Sequence, residues 1–141
     1  MKNILYLVFL TVLIFSLSAC SNNNNKGNSN EVINNENRQE TFENISPKDA
    51  KKQLDEDDKI ILLDVRTQEE YDESHIPKSK LIPVDVLDKN AESELKDKES
   101  KIFVYCRSGN RSVTASEILI DLGYTNVYNL GGIIDWPYET E

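Results

Sequence analysis

The sequence predicts an α/β fold in which helices flank a small, mostly parallel sheet on both faces. Two apolar runs, at residues 60–63 and 102–105, are continuous, which is typical of strands buried on both faces. Between the second run and the C-terminus, apolar residues recur at i, i+3, i+4 and i+7, as in an amphipathic helix: Ala115, Ile118, Leu119 and Leu122. Strand-like and helix-like segments alternate, which favours a parallel sheet.

The elements of the first half follow from local signals. Ser46 followed by Pro47 is typical of a helix N-cap and first helical position. The predicted order is a short strand from Phe42, a helix to about residue 54, a strand at 59–65, an acidic helix at 67–73 and a brief strand at 81–82.

The second half continues the alternation. Asp85 is a candidate cap for a helix that reaches about Leu95, and Gly123 lies where a glycine commonly ends a helix. The predicted order is that helix, a buried strand at 101–105, a glycine-bearing loop, a helix that begins near Ser112, a strand at 127–130, and a short terminal helix with Trp136 after Gly131-Gly132.

The N-terminal segment has the composition of a targeting sequence. After Lys2, residues 4–19 are apolar, which is short for a membrane span and suits a secretory signal. The run ends in Leu17-Ser18-Ala19-Cys20, which resembles the lipobox of bacterial lipoproteins. This resemblance implies a signal peptide at 1–19, a lipid on Cys20 and a location at the outer face of the cell membrane. The alternative is an ordinary cleavage site or an uncleaved anchor beside an incidental cysteine.

Residues 20–40 contain many asparagines and almost no apolar residues, so we expect a flexible tether before a domain at 41–141. The length leaves room for one such domain.

The sequence has two cysteines, Cys20 and Cys106. If Cys20 carries lipid, Cys106 has no partner for an intramolecular disulfide, and its presence in an oxidising compartment needs a reason such as reactivity or burial.

The charge is acidic, with a formal net value of −9. Proteins that bind nucleic acid neutralise phosphates with clustered lysines and arginines, whereas here the basic residues are scattered among more numerous carboxylates. The sequence therefore argues against a nucleic-acid partner. An anionic substrate would need a local positive field at its site.

The candidate site is the loop that follows the second buried strand. Ligands of parallel α/β folds collect at the carboxyl ends of the strands, where this loop begins with a thiol. A helix N-terminus, the inward-pointing N–H groups of a curved loop and two arginines would each lower the thiol pKa or hold an anion. The loop residues are Cys106, Arg107, Ser108, Gly109, Asn110 and Arg111. The alternative is a buried, inert cysteine followed by surface arginines.

Besides the segment from Tyr105 to Ser112, the sequence contains Asp64-Val65-Arg66 at a strand end, Glu69-Glu70-Tyr71, His75-Ile76-Pro77, and Gly131-Gly132 with Trp136. In this order, these motifs resemble the rhodanese domain family over residues 42–138. One departure follows the His-Ile-Pro turn, where Lys78-Ser79-Lys80 stand in place of the small residues of many members.

The resemblance implies that Cys106 is the catalytic nucleophile of a sulfurtransferase. Its thiolate would take a sulfane sulfur from a donor such as thiosulfate, become a persulfide, and pass the sulfur to a thiol or a cyanide-like acceptor. Backbone N–H groups from Arg107 to Arg111 would stabilise the terminal sulfur. Arg107 would steer the donor, and so would Arg111 in one of two alternatives. Arg111 could instead turn inward and brace the loop. The resemblance implies no metal and no organic cofactor.

Two other functions stay open at this point. A cysteine loop that ends in arginine also serves cysteine phosphatases and arsenate reductases, but four residues separate Cys106 from Arg111, whereas the phosphatase pattern has five. The shorter loop makes a cradle suited to a sulfur atom. The other possibility is a non-enzymatic persulfide carrier or docking module.

Four other residues and one helix surface have simpler predicted roles. His75 has no acidic neighbour in the sequence, so packing or turn formation is favoured over general-base catalysis. Asp64 and Arg66 are expected to form a structural ion pair, and Trp136 to cover the core. The helix around Glu69 and Glu70 is expected to be a solvated surface.

Overall fold

A computed structural model describes residues 41–141 of the chain. The predicted signal peptide, the Cys20 lipidation site and the tether all lie outside these residues. Within the described part, no helix combines the length and apolar character needed to cross a membrane.

A five-stranded sheet forms the centre of the domain. Its strand order is β1-β5-β4-β2-β3, and every neighbouring pair is parallel. The strands are β1 Glu43–Asn44, β2 Ile61–Asp64, β3 Lys80–Leu81, β4 Ile102–Cys106 and β5 Val127–Gly132. The fully buried β4 lies in the middle of the sheet, so the loop that follows it opens at the centre of the carboxyl edge.

Within residues 41–141, four α-helices alternate with the strands: α1 Pro47–Glu56, α2 Gln68–Glu73, α3 Val84–Glu94 and α4 Asn110–Asp121. The Ser46 hydroxyl accepts the Asp49 N–H at the start of α1, as its N-cap position predicts. Thr67 caps α2, and Glu70 completes a capping box with it. These two caps explain why both helices begin where the sequence predicts.

The two faces of the sheet are covered by separate apolar clusters. Leu63 and Val104 point to one face, where they pack with residues of α3 and α4. Leu62 and Phe103 point to the other face, where they pack with Ala50 of α1 and with the C-terminal segment. Because adjacent strand residues point to opposite faces, the continuous apolar runs serve both clusters. Helices therefore flank the sheet on both faces, as predicted.

The prediction that Asp85 caps α3 is wrong. The helix begins at Val84, after Pro83, and Asp85 lies in its first turn.

Other predicted boundaries also differ from the structure. Helix α4 begins at Asn110, two residues before Ser112, because the loop closes earlier than expected. Strand β5 continues through Gly132, so both glycines belong to the strand. The terminal helix is a single 3-10 turn, Ile133–Asp135, and Trp136 follows it as a buried residue.

Candidate active site

Cys106 is the last residue of the central strand β4 and has 1% of its surface exposed. It is a free thiol, and within the described residues it is the only one. The Gly109 N–H lies 3.1 Å from the Cys106 sulfur and donates a hydrogen bond to it. The loop therefore folds back over the thiol, and one of its amides points at the sulfur as predicted.

The reversal of the loop occurs at Gly109. Its φ of +102° lies in the left-handed region, where a side chain would be strained. Gly109 is also the N-cap of α4, and its carbonyl oxygen accepts the Val113 N–H at 3.2 Å. This conformation ends the loop and starts the helix directly beside the sulfur.

Hydrogen bonds lower the pKa of the Cys106 thiol below its ordinary value. Burial acts in the opposite direction, but donors from Ser112, Gly109 and Ser108 outweigh it. The Ser112 hydroxyl has a single proton, and the carbonyl oxygens of Gly109 at 2.8 Å and of Gly131 at 3.2 Å compete with the sulfur for it. The backbone amides are therefore the constant donors, and main-chain groups favour the thiolate form of the sulfur.

The end of β5 packs directly under the loop. A Cβ atom on Gly132 would lie 2.6 Å from the Arg107 carbonyl oxygen and 2.8 Å from the Ser108 Cα, closer than side chains approach backbone. The Ile134 N–H donates to the same Arg107 carbonyl oxygen at 3.3 Å. The Gly131-Gly132 pair thus permits close contact between β5 and the thiol loop.

Arg111 is committed to an ion pair. Its guanidinium donates two parallel hydrogen bonds to the Glu70 carboxylate, Nη1 to Oε2 at 2.6 Å and Nη2 to Oε1 at 2.7 Å. The prediction that Glu70 belongs to a solvated surface is wrong, because Glu70 turns from α2 toward the start of α4. Arg111 thus joins the first turn of α4 to α2, and the pair occupies the charge that the other alternative would use to steer the donor.

The remaining loop residues are open to solvent. Arg107, Ser108 and Asn110 are exposed, and none of the ion pairs found in residues 41–141 includes Arg107. Arg107 therefore provides a positive charge in the same loop as the thiol, without a carboxylate to neutralise it. This is the group best suited to attract an anionic ligand to the loop.

The family model for the rhodanese-like domain matches residues 46–138. The chain belongs to the rhodanese-like domain family. This match covers every element that builds the thiol loop, from the N-cap of α1 to the residues after the 3-10 turn. It confirms the predicted fold class and the predicted family.

Relatives of known name share this part of the chain. A putative sulfur carrier protein of Bacillus subtilis, YrkF, is 37% identical over 69% of this chain and 52% of its own length. The chain thus spans about half of that relative. The thiosulfate sulfurtransferase PspE of Escherichia coli is 37% identical over 52% of this chain and 70% of its own length. A solved structure of a rhodanese with anions from E. coli superposes with a TM-score of 0.55 at 33% identity, covering 58% of this chain and 96% of that one.

The rhodanese-like domain also buries an ion pair at the end of β2. Arg66 donates to both carboxylate oxygens of Asp64, with Nη2 to Oδ2 at 2.6 Å, and to the Ser74 carbonyl oxygen at 2.8 Å. Both residues are buried, and Arg66 lies over the Tyr105 ring at 5.6 Å. The predicted structural ion pair is therefore present, and it fixes the turn beside α2.

His75 packs in the turn after α2. Its ring stacks on Tyr71 at 3.8 Å, and its Nδ1 lies 2.9 Å from the Tyr71 carbonyl oxygen. Its main chain exchanges two hydrogen bonds with Glu141, and its Nε2 lies 3.5 Å from the Glu141 carboxylate. None of these contacts involves the thiol loop, so the geometry agrees with the predicted packing role.

Proposed function

We propose that this chain is a sulfurtransferase that accepts sulfane sulfur from thiosulfate or a similar donor on Cys106. The observation that carries the proposal is the short contact from the Gly109 N–H to the Cys106 sulfur, at the N-terminus of a helix and at the centre of the sheet edge. A thiolate held by amides is a ready nucleophile. The name of PspE supports thiosulfate as the donor to test first.

The reaction consists of two displacements at sulfur. In the first, the Cys106 thiolate attacks the outer sulfur of thiosulfate, the sulfur–sulfur bond of the donor breaks, and its electron pair leaves with sulfite. In the second, an acceptor thiolate or cyanide attacks the terminal persulfide sulfur, and the electron pair of that bond returns to Cys106. No net oxidation of the protein occurs over the cycle.

The loop supports both steps in the same way. Cys106 is a thiolate at the start and the end of the cycle and carries a terminal persulfide anion between them. Main-chain N–H groups from Arg107 to Arg111 can stabilise each of these anions. The uncompensated charge of Arg107 attracts the divalent donor toward a chain whose net charge is negative.

The name of YrkF supports a second candidate function, that of a persulfide carrier. A carrier and an enzyme share the first displacement and differ in the second. An enzyme turns over repeatedly with a small acceptor such as cyanide, whereas a carrier retains its sulfur until a specific protein thiol removes it.

Mass spectrometry of the full chain tests the first displacement. After incubation with thiosulfate, the peptide that contains Cys106 should gain one sulfur atom, and cyanide or a thiol should remove it. The Cys106→Ser variant is the matched control and should gain nothing. If no sulfane-sulfur donor ever modifies Cys106, the sulfurtransferase proposal is wrong.

We also propose, from the lipobox-like sequence, that Cys20 carries a lipid that anchors the chain at the outer face of the cell membrane. A Cys20→Ala variant should lose its partitioning into detergent. Unchanged partitioning of that variant, with the apolar segment still attached, would contradict the lipid anchor and indicate an uncleaved segment.

A further inference from the structure

Strand β5 contains an irregularity beside the thiol loop. Val104 of β4 pairs with Asn129, but the next residue, Tyr105, pairs with Gly131, so Leu130 is an additional residue in β5. Such bulges redirect the strand that contains them and are common next to active sites. Here the bulge places Gly132 opposite Cys106.

The side chain of Asn129 holds this bulge. Its Oδ1 accepts the Gly131 N–H at 3.1 Å, which closes a turn across the additional residue. Its Nδ2 donates to the Asn44 side-chain oxygen on the edge strand β1 at 2.9 Å. The Asn129 carboxamide therefore has both a fixed position and a defined partner in the bulge.

A short chain of contacts connects the bulge to the sulfur. The Ser112 hydroxyl lies 3.2 Å from the Gly131 carbonyl oxygen and 2.8 Å from that of Gly109. The N–H of Gly109 then donates to Cys106. The other connection is steric. Gly132 packs closely against the Arg107 carbonyl oxygen, and this contact fixes the distance between β5 and the thiol loop.

We propose that Asn129 is a positioning residue for Cys106, because its carboxamide fixes the bulge on which the thiol loop rests. Without the bulge, a one-residue slip would bring Gly131 opposite Cys106 and move Gly132 from beneath the loop. The Gly109 amide would then lose its alignment with the sulfur. The role in sulfur transfer rests on the proposed function, whereas the effect on the thiol does not.

The test uses the full chain and three substitutions at one position. Asn129→Ala removes the acceptor, Asn129→Gln displaces it by one methylene, and Asn129→Asp retains it. The control is Asn126→Ala, since Asn126 also lies near β5 but donates to the Glu99 carbonyl oxygen, away from the loop. The first readout is the pH dependence of alkylation of the Cys106 peptide, and the second is kcat and KM for sulfur transfer from thiosulfate to cyanide.

In the alanine and glutamine variants, we expect the alkylation of Cys106 to have a higher pH midpoint. We also expect kcat to fall about tenfold, which is the loss that corresponds to one hydrogen bond to a charged group. KM for thiosulfate should change little, because Arg107 is retained. Asn129→Asp should have a midpoint nearer to that of the wild type. Its added negative charge disfavours a thiolate, so such recovery could come only from the restored acceptor.

An unchanged alkylation midpoint in the folded alanine or glutamine variant would overturn the proposal. If the alanine variant does not fold, the glutamine variant decides, and failure of both to fold would mean that Asn129 supports the fold and not the thiol in particular. A shifted midpoint in a protein that never accepts sulfur would sustain the positioning role and refute the proposed function.

Discussion

At the scale of single residues, the site depends on which groups stabilise the Cys106 thiolate. The sequence predicted contributions from the helix N-terminus, the loop amides and both arginines. In the structure the main donors are Ser112 and the amides of the loop, while the Arg111 charge is paired with Glu70. Arg107 keeps its free charge but faces solvent. The two arginines therefore have different roles, one structural and one electrostatic.

Replacing Arg107 with alanine should weaken the capture of thiosulfate without disabling the thiolate. The substitution removes one positive charge that acts on a divalent anion through partly screened solvent. We therefore expect KM for thiosulfate to rise about three- to tenfold and to depend less on ionic strength. Steady-state kinetics at several salt concentrations measure both quantities.

The matched control is Lys52→Ala, which removes an exposed positive charge from α1. It should leave KM and its salt dependence close to those of the wild type. Equal effects of the two substitutions would show that net charge, and not the position of Arg107, attracts the donor.

At the scale of elements, the loop is a fixed-length connection between β4 and α4. Inserting one glycine between Ser108 and Gly109 should separate the Gly109 amide from the sulfur and slow sulfur loading by about tenfold or more. Wild-type protein should hydrolyse aryl phosphates no faster than Cys106→Ser. Loading that is unaffected by the insertion, or phosphatase activity that depends on Cys106 in the wild type, would contradict the argument from loop length.

The close contact between β5 and the loop gives another prediction. Gly132→Ala places a methyl group against the backbone of Arg107 and Ser108, neither of which can move as a side-chain end would. We expect a loss of about 1–3 kcal/mol in stability and a higher alkylation midpoint for Cys106. Thermal unfolding and alkylation measure these effects.

Gly123→Ala is the corresponding control for a glycine far from the site. Gly123 has a φ of +87°, so alanine is strained there too, but the nearest atoms belong to the flexible side chain of Lys98. This variant should lose stability and retain the normal alkylation midpoint. A normal midpoint in Gly132→Ala as well would show that the loop does not depend on this contact.

The sequence predicted most of the elements because their signals are local. The N-cap at Ser46, the continuous apolar runs and the glycine after α4 each depend on a few neighbouring residues. The Glu70–Arg111 pair and the bulge at Leu130 escaped prediction because they depend on contacts between segments far apart in the chain. The predicted solvated surface around Glu70 took account of neither its capping box with Thr67 nor its pair with Arg111.

At the scale of the whole molecule, the Glu70–Arg111 pair connects the helices that follow β2 and β4. Most other ion pairs of the domain, such as Lys78–Asp58, are widely exposed and contribute little. The side chains of Arg111 and Glu70 are only 33% and 23% exposed, and their geometry is bidentate. This pair is therefore suited to link stability with pH.

The Arg111 hydrogen bonds lower the pKa of Glu70 from 4.5 to about 2. A carboxyl group whose pKa is lower in the folded state stabilises the fold when it is ionised. Its contribution is therefore complete above about pH 4.5 and is lost as the pH falls toward 2. Because the pair is partly exposed, we expect Glu70→Gln to lower the free energy of unfolding at pH 7 by about 1 kcal/mol.

Urea unfolding of the wild type and of Glu70→Gln at pH values from 7 to 2.5 measures this contribution. The difference between the two proteins should be greatest at neutral pH and should shrink through the interval from 4.5 to 2, where the wild-type carboxylate takes up its proton. Glu73→Gln, at the exposed end of α2, is the matched control and should parallel the wild type. A difference that stays constant with pH would mean that Glu70 acts through its shape and its hydrogen bonds, and not through its charge.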